Sequence, residues 1–266
     1  MNLLDITDPH DPRIEPYRDI RERDLIGRRD LFIAEGKVVL QVLLSSPYYE
    51  AQSLLVLRRR LAGLSDLLTT RPDLPVYVAD DAVMDKIAGF HIHRGILALG
   101  RRLPAPDAGQ LIGSLPEHAL VVVCVGISNH DNIGSIFRNA AAFGASAVLL
   151  DPTCCDPLYR KSLRVSVGGV LKVPYARFDD ASALAALLDK AGFAQMALSP
   201  AGAVDLRDVK PAPRTAIYLG AEGPGLPDQI LERISTVSIP ISSGFDSLNV
   251  AAASAIALFH LSASAR

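Results

Sequence analysis

Residues Ala119 to Val125 read ALVVVCV, seven consecutive residues without a charged or amide side chain. A strand with one solvated face alternates apolar and polar residues, so an uninterrupted apolar run marks a strand covered on both faces. Such strands belong to parallel sheets, whose crossover connections place helices on either side. The surrounding sequence supplies both kinds of element. A loop from Gly126 to Asp131 leads to Asn132, a residue suited to capping a helix, and the helix it opens ends at Gly144, suited to the C′ position. Strands are expected at Ala147–Leu150, Gln195–Leu198, Ala216–Leu219 and Ser238–Ile241, with Gly168 to Val173 leading towards another. Helices are expected at Ala181–Ala191 and Val250–Leu261. The fold class is therefore α/β, with the Ala119 strand central.

The 266 residues are enough for one large domain or two modest ones. The stretch LPAPDAGQLIGSLP, Leu103 to Pro116, concentrates proline and glycine between apolar blocks and has the composition of a linker. It divides the chain into residues 1–104, a linker at 105–118, and residues 119–266. In the first part Arg29 to Leu44 reads as a short strand (LFIAEG) feeding a helix, with Val38, Val39, Val42 and Leu43 at helical spacing. Short apolar runs at Ser53–Leu57, Pro75–Val78 and Gly95–Leu99 complete a small α/β module.

Charge separates some functions from others. The net charge is −2, so nucleic-acid binding cannot rest on overall electrostatics and must come from local clusters. Arg58, Arg59 and Arg60 form a triplet, and Arg94, Arg101 and Arg102 close the first module. Arg18, Arg21, Arg23, Arg28 and Arg29 are interleaved with Asp19, Glu22, Asp24 and Asp30, which fits either a binding surface or a solvated, ion-paired face. No run approaches the roughly 18 apolar residues that cross a bilayer, and Met1 to Asp5 does not open a signal peptide, so a cytoplasmic protein without membrane contact is expected. Cys124, Cys154 and Cys155 are odd in number and lack CxxC spacing, which argues against a disulfide framework or a zinc site. No metal is expected.

Three segments of the second half carry chemistry. In Asn132–Ala141 (NIGSIFRNAA), Ile133, Ile136, Phe137, Ala140 and Ala141 make the buried stripe of a helix, while Gly134 and Arg138 share another face. Glycine costs about 1 kcal/mol in a helix interior, so its place one turn before an arginine points to close approach of a ligand or phosphate; otherwise Arg138 pairs with a carboxylate. Leu219–Leu226 (LGAEGPGL) follows an expected strand, where open α/β sheets bind their ligands. In Ile239–Ala252 (IPISSGFDSLNVAA), Ser247 and Asn249 stand where the last helix begins and fit capping. Of the histidines, His130 either approaches a substrate or is structural, His260 lies in the apolar last helix, and His91 and His93 belong with the first module.

Together these segments resemble, in order and content, the three motifs of the SpoU/TrmH-type RNA ribose 2′-O-methyltransferases of the SPOUT superfamily. The resemblance implies a C-terminal α/β domain with a deep trefoil knot, pairing of two copies through that domain, and S-adenosylmethionine as cofactor. It assigns Asn132, Arg138, Glu222, Ser247 and Asn249 to catalysis, and Leu219, Gly220, Glu222, Gly223, Ile239, Ile241, Leu248 and Asn249 to the cofactor. The phrases LFIAEGK and HRGILAL resemble the N-terminal substrate-binding domain of larger members, similar to RNA-binding ribosomal proteins; within that module the basic clusters make Arg58, Arg59, Arg60 and Arg94 the expected RNA contacts.

The implied reaction moves a sulfonium methyl group to a ribose 2′-hydroxyl of RNA, ribosomal RNA being favoured. Transfer RNA as substrate, or a silent RNA-binding protein on the same fold, are the alternatives. Arginine is a poor base because its pKa exceeds about 12, so Arg138 is assigned an electrostatic role on phosphate and developing alkoxide. A nucleotide-dependent oxidoreductase is disfavoured by the lack of GxGxxG after the first strand of either half.

Overall fold

The computed structural model describes residues 2–18, 25, 30–88 and 94–262, and these form two compact units. The first comprises residues up to Pro104 together with Leu158–Lys172; the second comprises Ala105–Pro157 and the chain from Val173 onward. Arg21, Arg23, Arg28, Arg29, His91 and His93 lie outside the described residues.

In the first unit the chain runs through β1 (Asn2–Ile6), β2 (Leu31–Glu35), α1 (Lys37–Ser45), β3 (Tyr49–Leu57), α2 (Arg58–Leu61), α3 (Ser65–Thr69), β4 (Pro75–Ala79), α4 (Asp81–Ala88) and β5 (Ile96–Arg102). The sheet order is β1-β4-β3-β5-β2, parallel from β1 to β3 and antiparallel from β3 to β2. Helix α1 buries Val39, Leu40, Leu43 and Leu44, whereas Val38 is exposed. The expected stripe is thus rotated by one residue; the helix starts after Gly36, which holds φ +96° at its N-cap.

The second unit opens with α5 (Ala108–Ser114), inside the stretch expected to be a linker. Asp107 and Gln110 form a reciprocal capping box, and Leu111 and Ile112 are buried in the second core.

Strand β6 (Ala119–Cys124) is buried at every position. It is followed by α6 (His130–Ala142) and β7 (Ala147–Leu150). Helices α7 (Arg160–Val165) and α8 (Gly169–Lys172) then group with the first unit, where the Ser46 hydroxyl donates to the Leu171 carbonyl at 2.7 Å. The chain resumes the second unit with β8 (Tyr175–Arg177), α9 (Ala181–Lys190), β9 (Ala194–Leu198), β10 (Val204–Asp205), β11 (Arg214–Leu219), α10 (Asp228–Leu231), β12 (Ser235–Ser238) and α11 (Val250–Leu261).

These strands make a seven-stranded, wholly parallel sheet in the order β10-β12-β9-β11-β6-β7-β8. Parallel pairing brings every carboxyl end to one edge, and the loops after β6, β9, β11 and β12 all leave from it. Two boundaries differ from expectation. Helix α6 begins at His130, capped by the Asn129 side chain on Asp131 N at 2.8 Å, so Asn132 lies inside it. Strand β12 ends at Ser238, which frees Ile239 and Ile241 to face a cavity.

Candidate active site

Three neighbouring strands, β12, β9 and β11, release their chains around one cavity of 520 Å³. Its walls are the loop after β11, from Leu219 through Gly220, Glu222 and Gly223 to Leu226; the turn after β9; and the loop after β12 with Ile239, Ile241, Ser247, Leu248 and Asn249. All eight residues expected to hold a cofactor border it. Leu198, Ser199 and Pro200 also line it and were not anticipated, since LSP carries no pattern distinguishing it from any turn after a strand.

The loop after β11 folds back on itself. Gly225 N donates to Ala221 O at 3.1 Å, and Gly223 and Gly225 hold φ of +87° and +73°. A Cβ on Gly220 would lie 2.4 Å from both Gly225 C and Leu226 N. Glycine is needed there so that the returning segment of the loop can pass. At Gly223 and Gly225 an added Cβ would meet nothing within 4 Å, so these backbone segments are open to the cavity side.

One side chain ties the motifs together. Asn249 caps α11 by accepting from Ala251 N at 2.9 Å and Ala252 N at 3.4 Å, which aims its amide nitrogen the other way. That nitrogen donates to Glu222 Oε1 at 2.7 Å and Asn132 Oδ1 at 3.1 Å. Capping and bridging coexist because an amide has separate donor and acceptor ends. Asn132, Asn139 and Phe143, at i, i+7 and i+11, form one face of α6 turned to α11. Asn139 donates to Ala251 O at 2.8 Å and Ser254 Oγ at 2.9 Å, and Phe143 stacks edge-on with Phe259 at 6.0 Å. Asn139 thus fixes the register of the two helices; the heptad spacing from Asn132 was the available signal for it.

Arg138 lies on another face of α6, exposed and without a carboxylate partner among the described residues. A cation left unpaired on the helix that carries Asn132 is available for an anionic ligand. The first-unit arginines differ among themselves. Arg58 Nη2 and Nε bind Asp5 at 2.7 Å and Asp80 at 3.0 Å, and Arg59 binds Asp81 at 2.6 Å. Arg60 and Arg94 have no such partner among the described residues, and Arg94 lies alongside Gly36. His260 Nε2 meets Val209 O at 2.8 Å, a structural contact.

The cysteines are free and poorly nucleophilic. Burial raises the Cys124 thiol, burial and then Asp151 raise Cys154 to about 12, and burial and then Asp156 raise Cys155 to about 11. Among the described residues no cluster of histidine, cysteine and carboxylate side chains has the makings of a metal site, and no helix is long and apolar enough to cross a membrane.

A parallel sheet whose loops close on a cavity of this size at the carboxyl edge defines a small-molecule-binding α/β protein. The SpoU rRNA methylase family model matches residues 119–259, and the chain belongs to that family. A tRNA/rRNA methyltransferase of Mycobacterium tuberculosis, described as uncharacterized, is 42% identical over 97% of this chain and 91% of its own length. The 23S rRNA (guanosine-2′-O-)-methyltransferase RlmB of Escherichia coli is 27% identical over 84% of this chain and 95% of its own. The AdoMet-bound rRNA methyltransferase of Sinorhizobium meliloti superposes with a TM-score of 0.82 at 23% identity, covering 98% of both chains.

Proposed function

We propose that this protein transfers the methyl group of S-adenosylmethionine to a ribose 2′-hydroxyl of RNA, with ribosomal RNA as the favoured substrate. The observation that carries this reading is the cavity walled by the loops after β11 and β12, with Asn249 hydrogen-bonded both to Glu222 of the first loop and to Asn132 of α6. The cavity fits the cofactor: its volume is in the range of small-molecule sites, Leu219, Ile239, Ile241 and Leu248 offer apolar walls, and the glycine loop offers exposed backbone. When bound, the cofactor supplies an electrophilic sulfonium methyl group.

The chain's own residues then position and polarise the acceptor. Arg138 holds the substrate phosphate and stabilises the alkoxide as it forms; the proton leaves to phosphate or water, since guanidinium stays charged. Asn249 holds Glu222 and Asn132 in fixed relation, so that the cofactor loop and α6 present a single surface. Ser247, beside the cavity, completes the acceptor side.

We assign residues 1–104 to RNA substrate binding, with Arg58, Arg59, Arg60 and Arg94 as contacts, residues 105–118 to the connection, and 119–266 to methyl transfer. The span of the family model supports the last assignment. A trefoil knot in this domain is consistent with the chain's return from β12 to α11 beside α6 and β11. A homodimer is supported by the outward face of α11, where Ile256 and Phe259 are exposed at 44% and 69%. A cytoplasmic location is consistent with an RNA substrate.

The test is transfer of tritium from labelled S-adenosylmethionine to total RNA of a strain lacking the gene, followed by nuclease digestion. Label in 2′-O-methyl nucleosides of ribosomal RNA is expected. Label in tRNA would redirect the substrate, and cofactor binding without any transfer would favour a silent RNA-binding protein.

A further inference from the structure

The Asp151 carboxylate belongs to none of the three motifs, yet it is built into the frame of the site. It closes β7, is 9% exposed, and meets four donors. Oδ1 accepts from Thr153 N at 3.2 Å and Cys154 N at 2.8 Å; Oδ2 accepts from Thr153 Oγ1 at 2.8 Å and Gly126 N at 3.1 Å. Three of these bonds hold the turn that Asp151 starts. The fourth reaches the other loop, just beyond β6.

That reach is reinforced. Cys155 N donates to Ile127 O at 3.0 Å and Ile127 N to Cys154 Sγ at 3.3 Å, zipping the two loops together. Arg177, at the end of β8, donates to the carbonyls of Asp151 at 3.0 Å and Cys154 at 3.2 Å. Gly126, at φ +73°, stands against the cofactor loop: a Cβ there would lie 3.1 Å from Ala221 Cβ. Ala221 precedes Glu222, and three residues beyond Gly126 is Asn129, the cap of α6.

We propose that Asp151 is a positioning residue for methyl transfer, its carboxylate anchoring the Gly126–Asn129 loop between the cofactor loop and the start of α6. The inference rests on the reading of the cavity as the methyl-donor site. Methyl transfer needs the acceptor aligned with the donor, and a misplacement of about 1 Å costs on the order of 100-fold in rate. A carboxylate suits the task because all four facing groups are donors and its oxygens only accept. An amide would offer N–H to the N–H of Gly126, while its oxygen served Thr153 N and Cys154 N unchanged.

Steady-state methylation of total RNA from a strain lacking the gene tests this with three full-length variants. Asp151→Asn removes the Gly126 anchor and keeps the turn; kcat should fall about 10- to 100-fold, with KM for S-adenosylmethionine and RNA changed less than about threefold. Thr153→Val removes the hydroxyl bond to the same oxygen and keeps the anchor; its kcat should stay within about twofold. Gly126→Ala pushes the loop from Ala221 with Asp151 intact and should reproduce the kcat loss, and it decides the matter if Asp151→Asn does not fold. Wild-type kcat in Asp151→Asn or Gly126→Ala, or equal losses in Asp151→Asn and Thr153→Val, would overturn the proposal. No transfer by the wild-type protein would instead overturn the reading on which it rests.

Discussion

Replacing Gly220 with alanine should cripple cofactor binding through the loop's own packing. The added Cβ would lie 2.4 Å from Gly225 C and Leu226 N and 2.7 Å from Gly225 O. Carbon contacts are favourable near 3.5 Å, so the returning segment must move by about 1 Å. It has nowhere to go without cost, because Leu226 is buried in the core at 6% exposure and Gly225 N is bound to Ala221 O. Overpacking of this kind costs about 1–3 kcal/mol, and loss of the hydrogen bond adds about 1 kcal/mol. At about 2–4 °C per kcal/mol the thermal transition should fall by on the order of 5–15 °C. Titration calorimetry should show affinity for S-adenosylmethionine reduced at least tenfold, equivalent to about 1.4 kcal/mol. Gly144→Ala is the control for a loss of stability alone: Gly144, unlike Gly220, holds a positive φ of +73°, where a side chain is strained, and its Cβ would meet nothing within 4 Å. It should cost about 1–2 kcal/mol of stability and leave the affinity alone. Cofactor affinity within twofold of wild type in Gly220→Ala would refute the argument from loop packing.

Arg138→Ala should abolish tritium transfer while calorimetric affinity for S-adenosylmethionine changes less than about threefold, because Arg138 does not border the cavity; a large loss of affinity would contradict that. Asn249→Asp keeps the α11 cap but sets a carboxylate against Glu222 Oε1 and Asn132 Oδ1, so activity should fall at least about 100-fold and far more than stability; proportional losses would reduce Asn249 to a cap. Phe259→Glu should convert a dimer to a monomer by light scattering at micromolar concentration, and a wild-type monomer would remove the basis for this prediction. Arg60→Ala and Arg94→Ala should each flatten the salt dependence of RNA binding by about one counterion, whereas Arg58→Ala, whose guanidinium is engaged by Asp5 and Asp80, should change it less; equal slopes in all three would show that these ion pairs open on binding.

Sequence alone determined the α/β architecture of the second unit, and the family resemblance named part of its cavity. The apolar run at Ala119–Val125 can be satisfied only by cover on both faces, and this dictated a parallel sheet with ligand loops at one edge. LGAEGPGL and SLN by themselves read as a tight turn and a helix cap; their resemblance to the family's motifs is what pointed to the cofactor, and the eight residues so assigned border the cavity.

Tertiary structure decided everything that depends on a distant partner. Asn132 has the chemistry of a helix cap, yet Asn129 does the capping and Asn132 instead accepts from Asn249, 117 residues away. Arg58 and Arg59 look like a free basic cluster until β1 and the start of α4 bring Asp5, Asp80 and Asp81 to them. The chain Leu158–Lys172 falls within the sequence of the second unit but is compact with the first, since its buried Leu163, Val170 and Leu171 can take cover wherever the backbone delivers them. Asp151 illustrates the same limit: one aspartate after one strand carries no signature, and its four donors come together only when β6 and β7 lie side by side. Periodicity and turn chemistry are properties of neighbours along the chain, while hydrogen-bond and ion-pair partners are properties of neighbours in space, and the fold alone converts one into the other.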